Sequence, residues 1–527
     1  MKAGFVLRTM VVVLAFSVAA TPALAAAETA AKAAMVEKPD GSTFVRCDGK
    51  PAKMTAGELT AVLLAITVTG GIVGGLVGAP ETADSAKRLT GPDGIKACDQ
   101  ALAAESDGVR RVELSIAKAI HQIEANDQDA ALATARAATD LAGDRKEDLG
   151  FRRSLALSAM EIEAAALLRQ GKVAEAELTA LKMAAAAPYD LITYLRAAPY
   201  ADLTGVMTPD KKAFYDQYQR LLPRALLARY EARQWVGDWA ASARDLEQVT
   251  AAFDAFSPPK EPGMGLSDAR RSVAYMLAGD MERSNAIAAE ARRQVDDMVK
   301  SGKALEFAAQ TSQAEELLDF QAIGRQLSEG RVKQARAAFA ARGRWLAPTP
   351  PAVALLTERL RAGAGADELT GALARDPAAI RADALSAKAG ALKEKTDKPG
   401  NLFGAIRAPL PSASWSGMSR TVWRTEKQPA LFIKKTPKDK FNGEMLFAYS
   451  YAANGSAMGE AMLMHCAVVA RQRGKAGCML VPYRDKLYST FVLVGSPGDP
   501  GIQPDLLMSA DAVIANLGAV FPKPVKR

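Results

Sequence analysis

A chain of 527 residues has room for roughly two to four domains, each with its own core. With 49% apolar and 24% charged residues it is not a disordered polymer, and with 6% aromatics it suits closely packed helices better than a β-rich interior. The formal charge of +8 is spread along the sequence and not gathered into a stripe, so nucleic-acid binding has no footprint here.

Residues 1–25 read as a secretory signal peptide. Lys2 and Arg8 form its basic end, Met10 to Ala20 its apolar stretch, and Ala23-Leu24-Ala25 its small-residue cleavage site. No Cys follows that site, so a lipid anchor is not indicated. Export to an oxidising, periplasmic setting lets the four cysteines pair. Of the three connectivities open to them, Cys47 with Cys98 and Cys466 with Cys478 keeps each bridge within one region.

Residues 26–98 form an N-terminal segment with a turn at Lys38-Pro39-Asp40-Gly41 and a Gly-rich apolar stretch at 59–79. That stretch is long enough to span a bilayer, and Gly70, Gly74 and Gly78 recur at a spacing that lets helices approach closely. The competing and favoured reading is a buried Gly-rich helix or helical hairpin packing under the first repeat, although each glycine costs a helix about 1 kcal/mol relative to Ala. Gly70 and Gly75 have the separation of a phosphate loop, but Leu76 and Val77 stand where Lys and Ser or Thr are required. No cofactor is expected.

Residues 99–347 repeat one pattern five times: a short apolar helix, a Gly or Asn-Asp break, and a second helix rich in small residues. The clearest copy has Ala164, Leu167, Gly171, Ala176 and Ala180, and ends at Pro188. Further copies are carried by Ala119, Asn126, Ala131 and Ala135, and by Gly237, Ser242 and Leu246. Tyr275, Gly279, Ser284, Ala288 and Ala291 make another, and Gly330, Ala335 and Phe339 the last. This pattern resembles the tetratricopeptide (TPR) repeat, with small residues where paired helices cross and Gly at the turn. The resemblance implies an α-solenoid whose concave face holds protein or peptide partners without a catalytic step. The copies are spaced more widely and less evenly than the roughly 34 residues of that family, so insertions such as Pro188–Arg224 and Ser257–Gly265 fill the gaps.

Pro348-Thr349-Pro350-Pro351 ends the array. Residues 348–400 form a helical extension, with helices near Ala352–Arg361 and Ala378–Lys395, and close on a linker at Thr396–Asn401. Residues 401–527 read as a small C-terminal α+β domain. Its strands are expected at Met445–Ser450, Gly477–Tyr483 and Leu487–Val494, and its helices at Ser456–Arg473 and Ser509–Val520.

Chemistry is sparse. His121 and His465 are the only histidines. Cys466 shares a helix stripe with Met458, Met462 and Val469, which makes it a core or disulfide residue in preference to a catalytic thiol. There is no Cys-x-x-Cys, His-x-x-x-His or Ca²⁺-loop spacing, so no metal site is expected. Tyr189, Tyr194, Arg196 and Tyr200 crowd the insertion after the clearest repeat as interface candidates, or pack that insertion onto the array. Lys434 to Lys440 is a basic loop.

The expectation is an exported cell-envelope binding or scaffold protein, mainly α, without catalytic, cofactor-binding or metal residues. Its partner is a protein or peptide of the envelope. The alternatives are an assembly factor anchored in the membrane through 59–79, and an envelope hydrolase with its site in the C-terminal domain. Washing isolated membranes at alkaline pH separates the first alternative from the rest. Release of the protein is the expected outcome, and retention in the pellet makes 59–79 a bilayer anchor.

Overall fold

The computed structural model describes residues 42–52, 83–256, 265–398, 400–407, 418–420, 422–423, 433–435, 445–448, 455–481 and 490–524. The expected signal peptide and the 59–79 stretch lie outside them. Among the described residues no helix is long and apolar enough to cross a membrane. The fold is mostly helical, with a small antiparallel sheet near the C-terminus. It divides into two units, Met1–Leu89 and Thr90–Arg527.

In the first unit, α1 (Thr43–Asp48) is capped by Ser42, whose Oγ accepts the Val45 N–H. Gly49, at φ 81°, ends the helix, and its carbonyl accepts the Asp84 N–H at 2.8 Å.

The second unit opens with α2 (Gly91–Ala104), which packs on α3 (Gly108–Glu124). Five helix pairs follow from the same local logic. α3 pairs with α4 (Gln128–Ala138), and α5 (Leu155–Arg169) with α6 (Val173–Ala186). α7 (Leu191–Ala197) and α8 (Pro209–Leu221) then intervene. α9 (Leu226–Trp235) pairs with α10 (Trp239–Phe256), α11 (Leu266–Ala278) with α12 (Met281–Lys300), and α13 (Ala308–Ser328) with α14 (Val332–Ala340).

Each pair turns on one residue of left-handed conformation: Asn126 (φ 62°), Gly171 (75°), Gly237 (76°), Gly279 (88°) and Gly330 (77°). Asn126 is the one non-glycine with positive φ among the described residues. The hydrogen bonding is the same in all five. At the fourth turn Gly279 N–H donates to Met276 O at 3.1 Å, and Asp280 N–H reaches back to Tyr275 O at 3.0 Å. These bonds satisfy carbonyls that the end of a helix otherwise leaves unpaired.

The fifth residue past each turn is small and fully buried: Ala131, Ala176, Ser242, Ser284 and Ala335. A side chain of that size lets the second helix close onto the first. Where it is serine, its hydroxyl bonds across the crossing, Ser242 to Tyr230 O at 2.9 Å and Ser284 to Ser272 O at 2.8 Å.

Neighbouring pairs also touch, through α4 and α5, α10 and α11, and α11 and α13. After them α15 (Pro350–Arg361) and α16 (Pro377–Asp397) match the helices expected beyond the Pro-rich break. α16 joins the two largest apolar cores. Its Ile380 belongs to one that starts at Trp239, and its Leu392 to one that runs from Val109 through Ala232 and on to Phe521.

In the C-terminal region α17 (Gly455–Gln472) packs on the sheet and α18 (Ala510–Leu517) lies beside it. The sheet contains β1 (Ile433–Lys435), β2 (Met445–Ala448), β3 (Gly477–Val481), β4 (Thr490–Gly495) and β5 (Met508–Ser509), in the order β1-β2-β4-β3-β5. Met445 pairs with Leu493 and Cys478 with Val494. Two strands escaped the sequence reading. β5 is only two residues long, and β1 lies where a basic loop was expected, with Lys434 opposite Phe447 and Lys435 opposite Leu446. Residues 436–440 are outside the described set.

A Cβ added at Gly279 meets nothing within 4 Å, so only the backbone conformation resists a side chain there. Gly279→Ala is expected to lower the unfolding free energy by about 1–2 kcal/mol in urea titrations. Asn126→Gly should stay within about 1 kcal/mol of the parent, since it relieves the same constraint while loosening the unfolded chain. An unchanged midpoint for Gly279→Ala would show that the turn does not need its left-handed residue.

Candidate binding groove

The insertion between the second and third helix pairs builds an open concavity on the helical region. Asp190 caps α7 through the Ile192 N–H at 3.0 Å, and Thr208 caps α8, which has Pro209 in its first turn. Both are ordinary helix starts. α8 is then fixed by a buried ion pair between Lys211 Nζ and Glu177 Oε1 of α6, 2.8 Å apart. The other Glu177 oxygen accepts the N–H groups of Leu203 and Thr204 at 2.9 and 3.0 Å, and so holds the segment leading into α8. With this set of donors the carboxylate is compensated, which a buried charge requires.

Between α6 and α8 lies a groove of about 500 Å³. Leu181, Ala184 and Ala185 line one wall, Ala213 and Phe214 the other, and Tyr194 the floor. Tyr194 stacks on Phe214 with ring centroids 5.1 Å apart, and on Tyr218 at 5.9 Å. Burial pushes the Tyr194 hydroxyl well above its usual range, so the floor of the groove stays neutral there.

The opposite edge of α8 faces a second cavity of about 270 Å³, and Asp216 and Arg220 border both. Here the lining is charged. Arg229 forks onto Asp245, with Nε 3.0 Å from Oδ2, and also reaches Asp216 at 3.2 Å. Arg233 Nε lies 2.7 Å from Asp245 Oδ2. Burial holds the Asp245 carboxyl above the usual carboxylate range, against the pull of Arg229 and Arg233. From the C-terminal region, Asp505 closes the cavity. Its backbone carbonyl accepts from Arg220 Nε at 3.2 Å and its Oδ2 from Gln248 Nε2 at 3.0 Å.

The residues singled out in the sequence occupy several environments. Ala164, Leu167, Ala176 and Ala180 are buried at the α5–α6 crossing, with Gly171 at its turn. Tyr194 lines the groove, Tyr189 is half-buried beside it, and Tyr200 is buried in the core. Arg196 turns away to Glu161 at 2.9 Å and to the Gly404 carbonyl. None of the four cysteines is free. Cys466 and Cys478 bridge α17 to β3, and Cys47 and Cys98 are disulfide-bonded as well. A bridged sulfur offers no thiolate, so Cys466 has no nucleophile to present.

Sequence reasoning passed over the arginines. Their signal was the density of Arg220, Arg224, Arg229 and Arg233 within one short stretch, with Glu231 as the only acid among them. Asp505 carried no signal at all, since it reaches the cavity only through the fold.

His465 is buried, and its Nδ1 lies 2.7 Å from the Val422 carbonyl oxygen. Burial lowers its pKa from 6.5, with that hydrogen bond opposing the shift. The unfolded chain therefore takes up a proton near pH 6.5 that the folded chain accepts only at lower pH. This contribution to stability is whole above about pH 6.5 and is lost as pH falls toward the folded value. Urea midpoints measured on both sides of that pH should fall on acidification, and His465→Gln should flatten the fall. An equal loss in the variant would assign the pH dependence to other groups.

No protein family, curated protein or solved structure matches this chain.

Proposed function

We propose that this protein is an exported cell-envelope scaffold whose TPR-like helix pairs hold a peptide segment of a partner protein, with no covalent step. The observation that carries the reading is the apolar groove between α6 and α8, open at the surface and floored by stacked aromatic rings. A concave apolar site with a few polar groups at its rim is the usual shape of a binding site. Shared turn geometry, and small residues at each crossing, support the repeat resemblance. Fully oxidised cysteines fit the oxidising, periplasmic compartment that the signal-like N-terminus implies.

Ala185 and Ala213 are exposed residues on opposite walls of the groove, so a large side chain at either site fills it without entering the core. Peptides selected by phage display on the full chain are expected to carry an aromatic or large aliphatic residue. Ala213→Trp and Ala185→Trp should weaken them at least about tenfold, the scale of one lost apolar contact. If both variants keep their fold and bind such peptides unchanged, the groove is not the binding surface.

A further inference from the structure

The cavity on the far side of α8 has more positive charge than its carboxylates match. Lys212 pairs with Asp216 at 2.6 Å, Arg229 with Asp245 and Asp216, and Arg233 with Asp245 and Asp238. Those contacts use the lining carboxylates except that of Asp505, which Gln248 holds. Arg220 and Arg244, which also line the cavity, have no carboxylate within ion-pair distance among the described residues. Arg220 commits only its Nε, to a backbone carbonyl, and Arg244 is exposed.

A second observation comes from Gln219. Its side chain lines the same cavity at 2% exposure, and its Oε1 has no hydrogen-bond partner. The two ends of a carboxamide exchange by a simple flip, so Gln219 can turn N–H donors toward a ligand. Two guanidinium groups with free forks and one uncommitted amide make a donor set for a multi-oxygen anion.

We propose that this pocket is an oxyanion-binding site that takes a carboxylate or phosphate group, with Arg220 and Arg244 as its principal donors. Arg220 borders both cavities, so an acidic group held there lies next to whatever occupies the apolar groove. The site therefore deepens the peptide reading and rests on it in one respect: the preferred source of the oxyanion is an acidic side chain adjacent to an apolar one in the partner segment. Free phosphate is the other source of the same chemistry.

Calorimetric titration of the full chain with three probes tests this: inorganic phosphate, N-acetyl-phenylalanyl-glutamate amide, and the glutamine version of that dipeptide. The glutamate probe is expected to bind at least tenfold tighter than the glutamine probe. Arg220→Gln combined with Arg244→Gln should abolish that preference. Arg244→Gln alone, at an exposed position, guards against a folding artefact and should lose part of it. Phosphate binding that the same substitutions remove, without dipeptide binding, keeps the oxyanion site and removes the groove reading. Equal affinity for the two dipeptides keeps the groove and overturns the oxyanion site. Absence of binding by both anionic probes, or binding that the double variant leaves intact, also overturns it.

Discussion

The constraint on which the helical region depends is the distance of closest approach between two helices joined by a left-handed turn. A helix can reverse tightly only if one residue takes positive φ, and its successor can lie against it only if the crossing residue is small. The protein meets both conditions five times, with Gly or Asn at the turn and Ala or Ser at the crossing. The two crossing serines add a bond to the opposite helix. Such a hydroxyl, buried without a partner, would cost about 1–3 kcal/mol, so the serines also fix how the helices register.

The groove arises where this regularity is interrupted. Between the second and third pairs the chain makes α7 and α8, and α8 would lie loosely against α6 without the buried Lys211–Glu177 pair. Lys388 of α16 adds a second tie to the same locality through Asp202 at 2.7 Å. Ion pairs of this kind contribute geometry more than net stability, because desolvation offsets much of their attraction. Their effect is to hold α8 at a fixed separation from α6, which leaves an open trough on one side and a charged cavity on the other.

What could be read from the sequence follows from how local each feature is. The five turns were visible because left-handed backbone restricts residue choice to Gly and Asn at single positions. α15, α16, α17 and the central strands were visible from periodicity and from Pro and Gly punctuation. β1 escaped because Lys434 and Lys435 look like solvated loop, and pairing with β2 is a decision made by the fold. The arginine pocket escaped for a similar reason: its walls come from α8, α9, α10 and a residue near the end of the chain. The aromatic cluster of the insertion was visible as composition, but only packing distinguishes Tyr194, which lines the groove, from Tyr200, which does not.

The apolar core shared by Val109 and Phe521 ties the beginning of the second unit to its end. Synthesis delivers the chain in order, yet α7, which packs on α17, and α8, which packs on β3, cannot complete their burial until those elements have arrived. Until then α7 and α8 keep apolar surface uncovered, a condition that favours aggregation and slows folding through long loop closure. The chain is therefore intolerant of C-terminal truncation, since removing α17 and β3 strips the cover from α7 and α8, far earlier in the sequence.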